Sequence, residues 1–254
     1  SKWFNANKLT LNIDKSNYML FYTVKQKQKY STLQNLVVKL NNSSIERVYC
    51  TKFLGVYIDH DLSWKTHISY VRKKLSQNIG VISKLCHILP KCILITLYNT
   101  LVLPYLSYSN VVWANTYSSK LEAIFILQKR FVRIASSSSY LAHTKPLFIK
   151  LSILNIYKLN NYFNAILLFK HKLGLLPNNL CIMLTLNCSV HNYNTRNKMN
   201  YYLSAITKQY ELHSFRHKAP SVWNSLPSDI TSINSLNSFK RKLKLYLISN
   251  NLTS

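Results

Sequence analysis

The sequence predicts an α+β fold in which a small β-rich segment is followed by a longer, mainly helical one. Apolar runs bounded by turn residues, which are typical of strands, are confined to about the first 60 residues. Beyond that point apolar residues recur at steps of three and four, as on one face of a helix. With 254 residues and 48% apolar content, the chain is long enough to bury a core.

The β-rich segment contains four apolar or β-branched runs separated by turn residues. We predict strands at 18–24, 36–40, 45–48 and 53–58, and expect them to pair antiparallel. The chain then changes to helical periodicity, which marks the end of this segment.

The first predicted helix has an apolar face running from Ile68 to Leu85, and Asp61 or Ser63 is expected to cap its start. Pro90 is expected to end it. Further helices are predicted at 93–102, 119–135, 147–173 and 239–247, with an irregular segment between 178 and 215. Four serines, 136–139, form a candidate hinge. The predicted domains are therefore 1–62, 63–136 and 137–254.

Charge is the strongest signal of the composition. The chain has 33 Lys and Arg against seven Asp and Glu, a formal net charge of +26. A composition rich in Lys, Asn, Ile and Tyr explains part of this excess, but it does not explain the scarcity of acids. Such a balance requires a polyanionic partner, either nucleic acid or an anionic membrane surface.

The basic helix faces are the candidate phosphate contacts. An ordinary solvated helix face is the alternative interpretation of each cluster. The candidates are Arg72, Lys73 and Lys74 on the first helix and Lys129, Arg130 and Arg133 on the helix at 119–135. In the C-terminal region Arg196 and Lys198 lie among tyrosines, a mixture that can stack on bases or form a small aromatic core.

Several function classes find little support in the residues. Three glycines are too few for a glycine-rich phosphate loop. Asp59 and Asp61 are the only close acidic pair, and they fit turn and cap roles better than metal binding. Cys181, Cys188 and His191 resemble a zinc knuckle only loosely. No cofactor is expected, and an odd number of cysteines without CxxC pairs indicates reduced thiols in the nucleus or cytoplasm.

One apolar segment, residues 92–114, lacks charge but is interrupted by Asn99, Pro104, Ser107, Ser109 and Asn110. A membrane-spanning helix needs about 20 predominantly apolar residues. We therefore predict two buried helices meeting near Pro104, and no membrane partner.

Three ordered segments carry a resemblance to a known family. The first is WFxxNKLxLNxxK at residues 3–15 with the strand that follows. The second is TKFLGVxID at 51–59, followed by LxWxxHI at 62–68. The third comprises HxYNTR at 191–196, Ser214-Phe215, APxxWNxLP at 219–227 and Phe239-Lys240 with Leu243. Together they resemble the C-terminal part of reverse transcriptases from non-LTR, LINE-type retrotransposons of the Jockey and CR1 kind.

The resemblance implies that residues 1–62 are the end of a polymerase palm, that 63–136 form a helical thumb and that 137–254 form the C-terminal region. It implies a phosphate-facing lysine at Lys15, a primer grip at Phe53, Leu54 and Gly55, and further nucleic-acid contacts from the basic clusters and Lys65. The implied partners are RNA, RNA–DNA hybrid or DNA, together with the upstream palm and fingers.

The same resemblance places the catalytic carboxylates upstream of Ser1. We therefore expect a nucleic-acid-binding part of an RNA-directed DNA polymerase that is inactive alone, with Mg²⁺ required only by the full polymerase. The alternatives are a basic membrane-associated protein and a degenerate retrotransposon reading frame without function.

Overall fold

The computed structural model describes residues 2–9, 12, 15–22, 37–40, 43–190 and 198–249. The predicted α+β class is confirmed, with short strands in small sheets and a predominance of helix. Backbone contacts divide the chain into two compact units, Ser1–His67 and Ile68–Ser254. We call them the N-terminal unit and the helical unit. The domain boundaries expected at 62 and 136 stay predictions.

The N-terminal unit begins with helix α1, Lys2–Ala6, and its strands are two to four residues long. The strands are β1 Asn17–Tyr18, β2 Lys39–Leu40, β3 Ser43–Ser44, β4 Glu46–Arg47, β5 Cys50–Phe53 and β6 Val56–Asp59. Within the described residues they form three two-stranded sheets, β1–β4, β2–β3 and β5–β6. The strand predicted at 18–24 is described only as far as Tyr22, and residue 36 of the second prediction also lies outside the described residues.

Two of these pairings are antiparallel as expected, but β1 runs parallel to β4, with Asn17 opposite Glu46. The expectation assumed that each strand pairs with its chain neighbour. The β2–β3 hairpin lies between β1 and β4, and a crossover of that length allows a parallel pair.

The single strand predicted at 53–58 is wrong. The chain reverses at Leu54 and Gly55, whose φ angles are 45° and 84°. Two consecutive residues with positive φ form the two-residue turn that suits the right-handed twist of a hairpin. Phe53 is thereby the last residue of β5 and pairs with Val56, the first of β6.

Most of the helices lie in the helical unit. The helices are α2 Lys65–Leu85 (which starts in the N-terminal unit), α3 Lys91–Leu101, α4 Leu103–Ser107, α5 Asn110–Trp113, α6 Ser118–Ala135, α7 Thr144–Lys150, α8 Ile156–Lys172, α9 Asn178–Cys181, α10 Asn187–Val190, α11 Phe215–Asn224, α12 Ser228–Thr231 and α13 Leu236–Ser249. A 3₁₀ turn covers Gln209–His213. The predicted apolar face of α2 is buried from Ile68 through Ile82.

The uncharged segment at 92–114 folds as α3, α4 and α5, with Pro104 in the first turn of α4. The predicted junction near Pro104 is confirmed, but the segment forms three helices where two were predicted. Pro90 does not end α2, which stops at Leu85; it is the N-cap residue of α3. Among the described residues, no helix has both the length and the apolar composition needed to cross a bilayer.

One long helix predicted at 147–173 is wrong, because the chain forms α7 and α8 with a break at Leu151–Asn155. Asn155 causes the second helix to start, since its side chain accepts a hydrogen bond from the backbone N–H of Lys158 at 2.9 Å. Ser152 has a φ of 53°, outside the helical region.

Helix α8 lies at the centre of the helical unit, against α6, α11 and α13. An aromatic core forms on it, where Phe169 stacks on Phe239 at 4.2 Å between ring centroids and lies 6.4 Å from Trp223. Burying each such side chain contributes about 2–3 kcal/mol.

A buried polar side chain joins three elements of this unit. Gln128 on α6 is fully buried, and its amide nitrogen donates to the Tyr98 hydroxyl at 2.8 Å and to the Leu154 carbonyl at 3.3 Å. Its amide oxygen accepts from the backbone N–H of Ile156 at 2.7 Å, at the start of α8. Gln128 therefore links α3, α6 and the break before α8.

Candidate nucleic-acid interface

The tip of the β5–β6 hairpin presents two apolar side chains to solvent. Phe53 is 61% exposed and Leu54 is 74% exposed, and Gly55 is exposed beside them. A hairpin turn has no interior face on which to bury them, and Gly55 adopts its φ of 84° without the steric cost of a side chain. The Phe53, Leu54 and Gly55 of the predicted primer grip thus form an exposed apolar tip.

The base of the hairpin is fastened to the start of α2 by a buried carboxylate. One oxygen of Asp59, Oδ2, accepts from the Ser63 hydroxyl at 3.2 Å and from the Thr66 backbone N–H at 3.3 Å. Asp59 therefore caps the helix, where the sequence predicts Asp61 or Ser63. Asp61 accepts from the Ser63 backbone N–H at 3.0 Å and shapes the preceding turn.

His67 sits beneath the hairpin, almost fully buried. Its Nδ1 accepts a hydrogen bond from the backbone N–H of Tyr57 on β6 at 3.4 Å. Burial lowers the pKa of His67, although the charge of Asp59 acts in the opposite direction. An imidazole that accepts at Nδ1 is neutral, so His67 serves the hairpin as a packing and accepting group.

The remaining candidates of the N-terminal unit are exposed. Lys15 lies in a turn where its backbone N–H donates to the Asn12 side chain at 3.1 Å. Lys65 is exposed at the first residue of α2. Both positions leave the ammonium groups accessible to an anion.

The basic cluster on α2 lies opposite the buried face. Arg72 and Lys73 are exposed and Lys74 is half-buried, while Val71 and Leu75 on either side of the cluster point into the core. Arg72 and Lys73 therefore project into solvent from a well-anchored helix.

The cluster predicted on α6 is divided by its contacts. Lys129 forms an ion pair with Glu122 at 3.4 Å and lies 4.1 Å from the ring centroid of Phe125. Arg133 donates from Nε to the Ala142 carbonyl at 3.0 Å. Arg130 is exposed. Two of the three predicted contacts are thus occupied by partners of the same unit.

The C-terminal candidates are only partly described. Lys198 is exposed, whereas Arg196 and the whole motif at 191–196 lie outside the described residues. His191 of the loosely zinc-like set lies there as well. Among the described residues, no group of three or more His, Cys, Asp or Glu side chains is arranged to hold a metal ion.

The basic helix predicted at 239–247 is observed as α13, but its cations are not among the predicted contacts. Arg241, Lys242 and Lys244 are exposed there, while Phe239 and Leu243 are buried. The separation of cations from the apolar face makes α13 a further exposed basic helix.

The charges are distributed unevenly along the chain. Residues 68–254 contain 23 Lys and Arg but only three acidic residues, Glu122, Glu211 and Asp229. Glu122 is engaged by Lys129 and the Tyr157 hydroxyl, and Glu211 accepts from the backbone and side chain of Thr207. The positive field of this region is therefore only weakly compensated within the chain.

Comparison with known protein families, with curated proteins and with solved structures finds no match for this chain.

Proposed function

We propose that this chain binds a template–primer duplex of RNA and DNA, as the end of the palm, the thumb and the C-terminal region of a LINE-type reverse transcriptase. The observation that carries the proposal is the charge of residues 68–254, with 23 Lys and Arg against three acids. The three ordered sequence segments supply the family.

Affinity would come from neutralising phosphates and releasing the counterions condensed on them. Such contacts require cations that are exposed and borne on rigid elements. Arg72 and Lys73 on α2 meet both conditions, and so does Arg130 on α6. Contacts of this kind position a duplex without reading its sequence.

The hairpin tip fits the proposed contact with the end of a primer. Phe53 and Leu54 are exposed, and the tip carries no charge that would repel a phosphate. Gly55 allows a backbone to approach closely because it has no side chain.

We propose binding, and not polymerisation, as the activity of these residues. By the resemblance, the metal-binding carboxylates belong to polymerase motifs that precede this segment, and Mg²⁺ would act there. The upstream palm and fingers would then be the protein partner.

The test is a fluorescence-anisotropy titration of the whole chain with a labelled RNA–DNA hybrid duplex over a range of salt concentrations. The logarithm of the binding constant should fall linearly with the logarithm of salt, with a slope of about 0.9 per phosphate contacted. A flat salt dependence, or no binding at low salt, would overturn the proposal.

A pair of double variants locates the contacts. Arg72→Gln with Lys73→Gln should reduce the slope by about 1.8 if each cation contacts one phosphate. Lys91→Gln with Lys150→Gln removes the same charge from exposed positions outside the predicted contacts. Equal loss in the two double variants would show binding by net charge alone and would exclude α2 as the interface.

A further inference from the structure

An aromatic cluster around one arginine lies in the N-terminal unit, and the proposed duplex contacts do not use it. The guanidinium carbon of Arg47 is 5.7 Å from the ring centroid of Tyr22 and 5.2 Å from that of Tyr49. The ring of His60 is 5.0 Å from Tyr22 and 5.4 Å from Tyr49. Four side chains from three stretches of the chain thus form one group.

Paired backbone supports this cluster. The backbone N–H of His60 donates to the Tyr49 carbonyl at 2.9 Å, and His60 Nδ1 lies 3.3 Å from the same oxygen. Arg47 belongs to β4, which pairs with β1. Tyr49 nevertheless remains 56% exposed, so an aromatic ring held by backbone pairing faces solvent.

We propose that Tyr49, with Arg47, Tyr22 and His60 around it, is a binding site for an unpaired nucleobase of single-stranded RNA or DNA. The inference rests on the proposed nucleic-acid binding and adds a single-strand site to the duplex contacts. A base stacks on an exposed aromatic ring, and the exposed ring of Tyr49 offers such a face within a cluster that also carries a cation.

The chemistry of the cluster favours a base over a cation or a bare phosphate. A cationic ligand would compete with Arg47, which already lies over the rings of Tyr22 and Tyr49. A bare phosphate would leave the exposed ring of Tyr49 unused. A planar base stacks on that ring and brings no positive charge toward Arg47.

Two single-stranded oligonucleotides of equal length test the proposal, one of uridines and one abasic with the same phosphates. The whole chain should prefer the uridine strand by about tenfold. Because stacking does not depend on counterion release, the ratio between the two strands should persist at high salt, although both affinities fall. An equal affinity for the two strands would overturn the proposal.

Substitutions assign the preference to Tyr49. Tyr49→Ala should abolish it, whereas Tyr49→Trp should retain it and add a fluorescence signal that the uridine strand quenches and the abasic strand does not. Tyr210→Ala is the matched control, because Tyr210 is 54% exposed and has the Lys208 ammonium 5.7 Å from its ring. A preference that survives Tyr49→Ala, or that Tyr210→Ala removes equally, would refute the assignment.

The hybrid duplex is titrated beside the single strands to separate the two proposals. Duplex affinity without a preference for bases would remove the stacking site and leave the proposed function standing. A preference for the uridine strand without salt-dependent duplex binding would overturn the proposed function and leave the stacking site standing. If the circular dichroism of Tyr49→Ala shows that this variant does not fold, Tyr49→Trp decides. Quenching by the uridine strand alone supports the site, and equal quenching by the uridine and abasic strands refutes it.

Discussion

Replacing Gln128 by methionine tests how the helical unit is held together. Methionine is close to glutamine in size but cannot make the hydrogen bonds to Tyr98, Leu154 and Ile156. Each buried group left without a partner costs about 1–3 kcal/mol. With the Leu154 carbonyl and the Ile156 N–H both left without a partner, we expect a loss of about 2–6 kcal/mol in the free energy of unfolding.

A second substitution separates the Tyr98 hydrogen bond from the others. Tyr98→Phe alone should cost about 1 kcal/mol, because the Gln128 amide nitrogen keeps the Leu154 carbonyl. In the Gln128→Met background the same change should cost almost nothing, since the hydroxyl has already lost its donor. The double-mutant cycle should therefore give a coupling of about 1 kcal/mol.

Urea unfolding followed by circular dichroism measures both effects, with Gln77→Met as the control. Gln77 is exposed on α2, so its substitution should change stability by less than about 0.5 kcal/mol. A cost below about 1 kcal/mol for Gln128→Met, or strict additivity with Tyr98→Phe, would refute the structural role assigned to Gln128.

Three further predictions concern the hairpin and are checked by the same unfolding measurement. Gly55→Ala should destabilise by about 1–2 kcal/mol, because its φ of 84° is costly for a residue with a Cβ, and Gly55→Asn should cost less; equal costs would contradict this. Asp59→Ala should lower the free energy of unfolding by about 1 kcal/mol, because the cap of α2 is lost, and by more than Asp61→Ala does. A larger loss in Asp61→Ala would show that Asp61 caps the helix. Burial lowers the pKa of His67, so the unfolded chain takes up a proton at this residue at a higher pH than the folded chain does. As far as His67 is concerned, the free energy of unfolding therefore has its full value above about pH 6.5 and falls as the pH drops below that value. The His67→Asn variant should lose less of its free energy of unfolding between pH 7 and 5 than the parent chain does. An equal loss in the two chains would show that His67 does not cause the decline in stability.

The sequence alone determined the elements with a strong amphipathic period. The helix predicted at 119–135 is observed as Ser118–Ala135, and the one at 239–247 as Leu236–Ser249. A period of 3.6 residues is a local property, so a single window contains the information that specifies the helix. The net charge of +26 is likewise fixed by composition.

Helix breaks and caps required the surrounding structure. The apolar run at 147–173 continues through Ser152, and periodicity does not show that Asn155 starts a new helix. The cap of α2 comes from Asp59 at the end of a strand, because the hairpin brings that carboxylate to the helix start. Local patterns favoured the nearer Asp61 or Ser63.

The candidate contacts divide in the same way. Lys129 and Arg130 are neighbours with equal charge, yet Lys129 is paired with Glu122 and Arg130 faces solvent. The cluster of Arg47 and three rings joins Tyr22 to His60 across a long stretch of chain. Residue type and spacing determined which side chains carry charge or stack. Only the tertiary structure decided which cations and rings are occupied by a partner, since charge and spacing alone do not show which side chains meet.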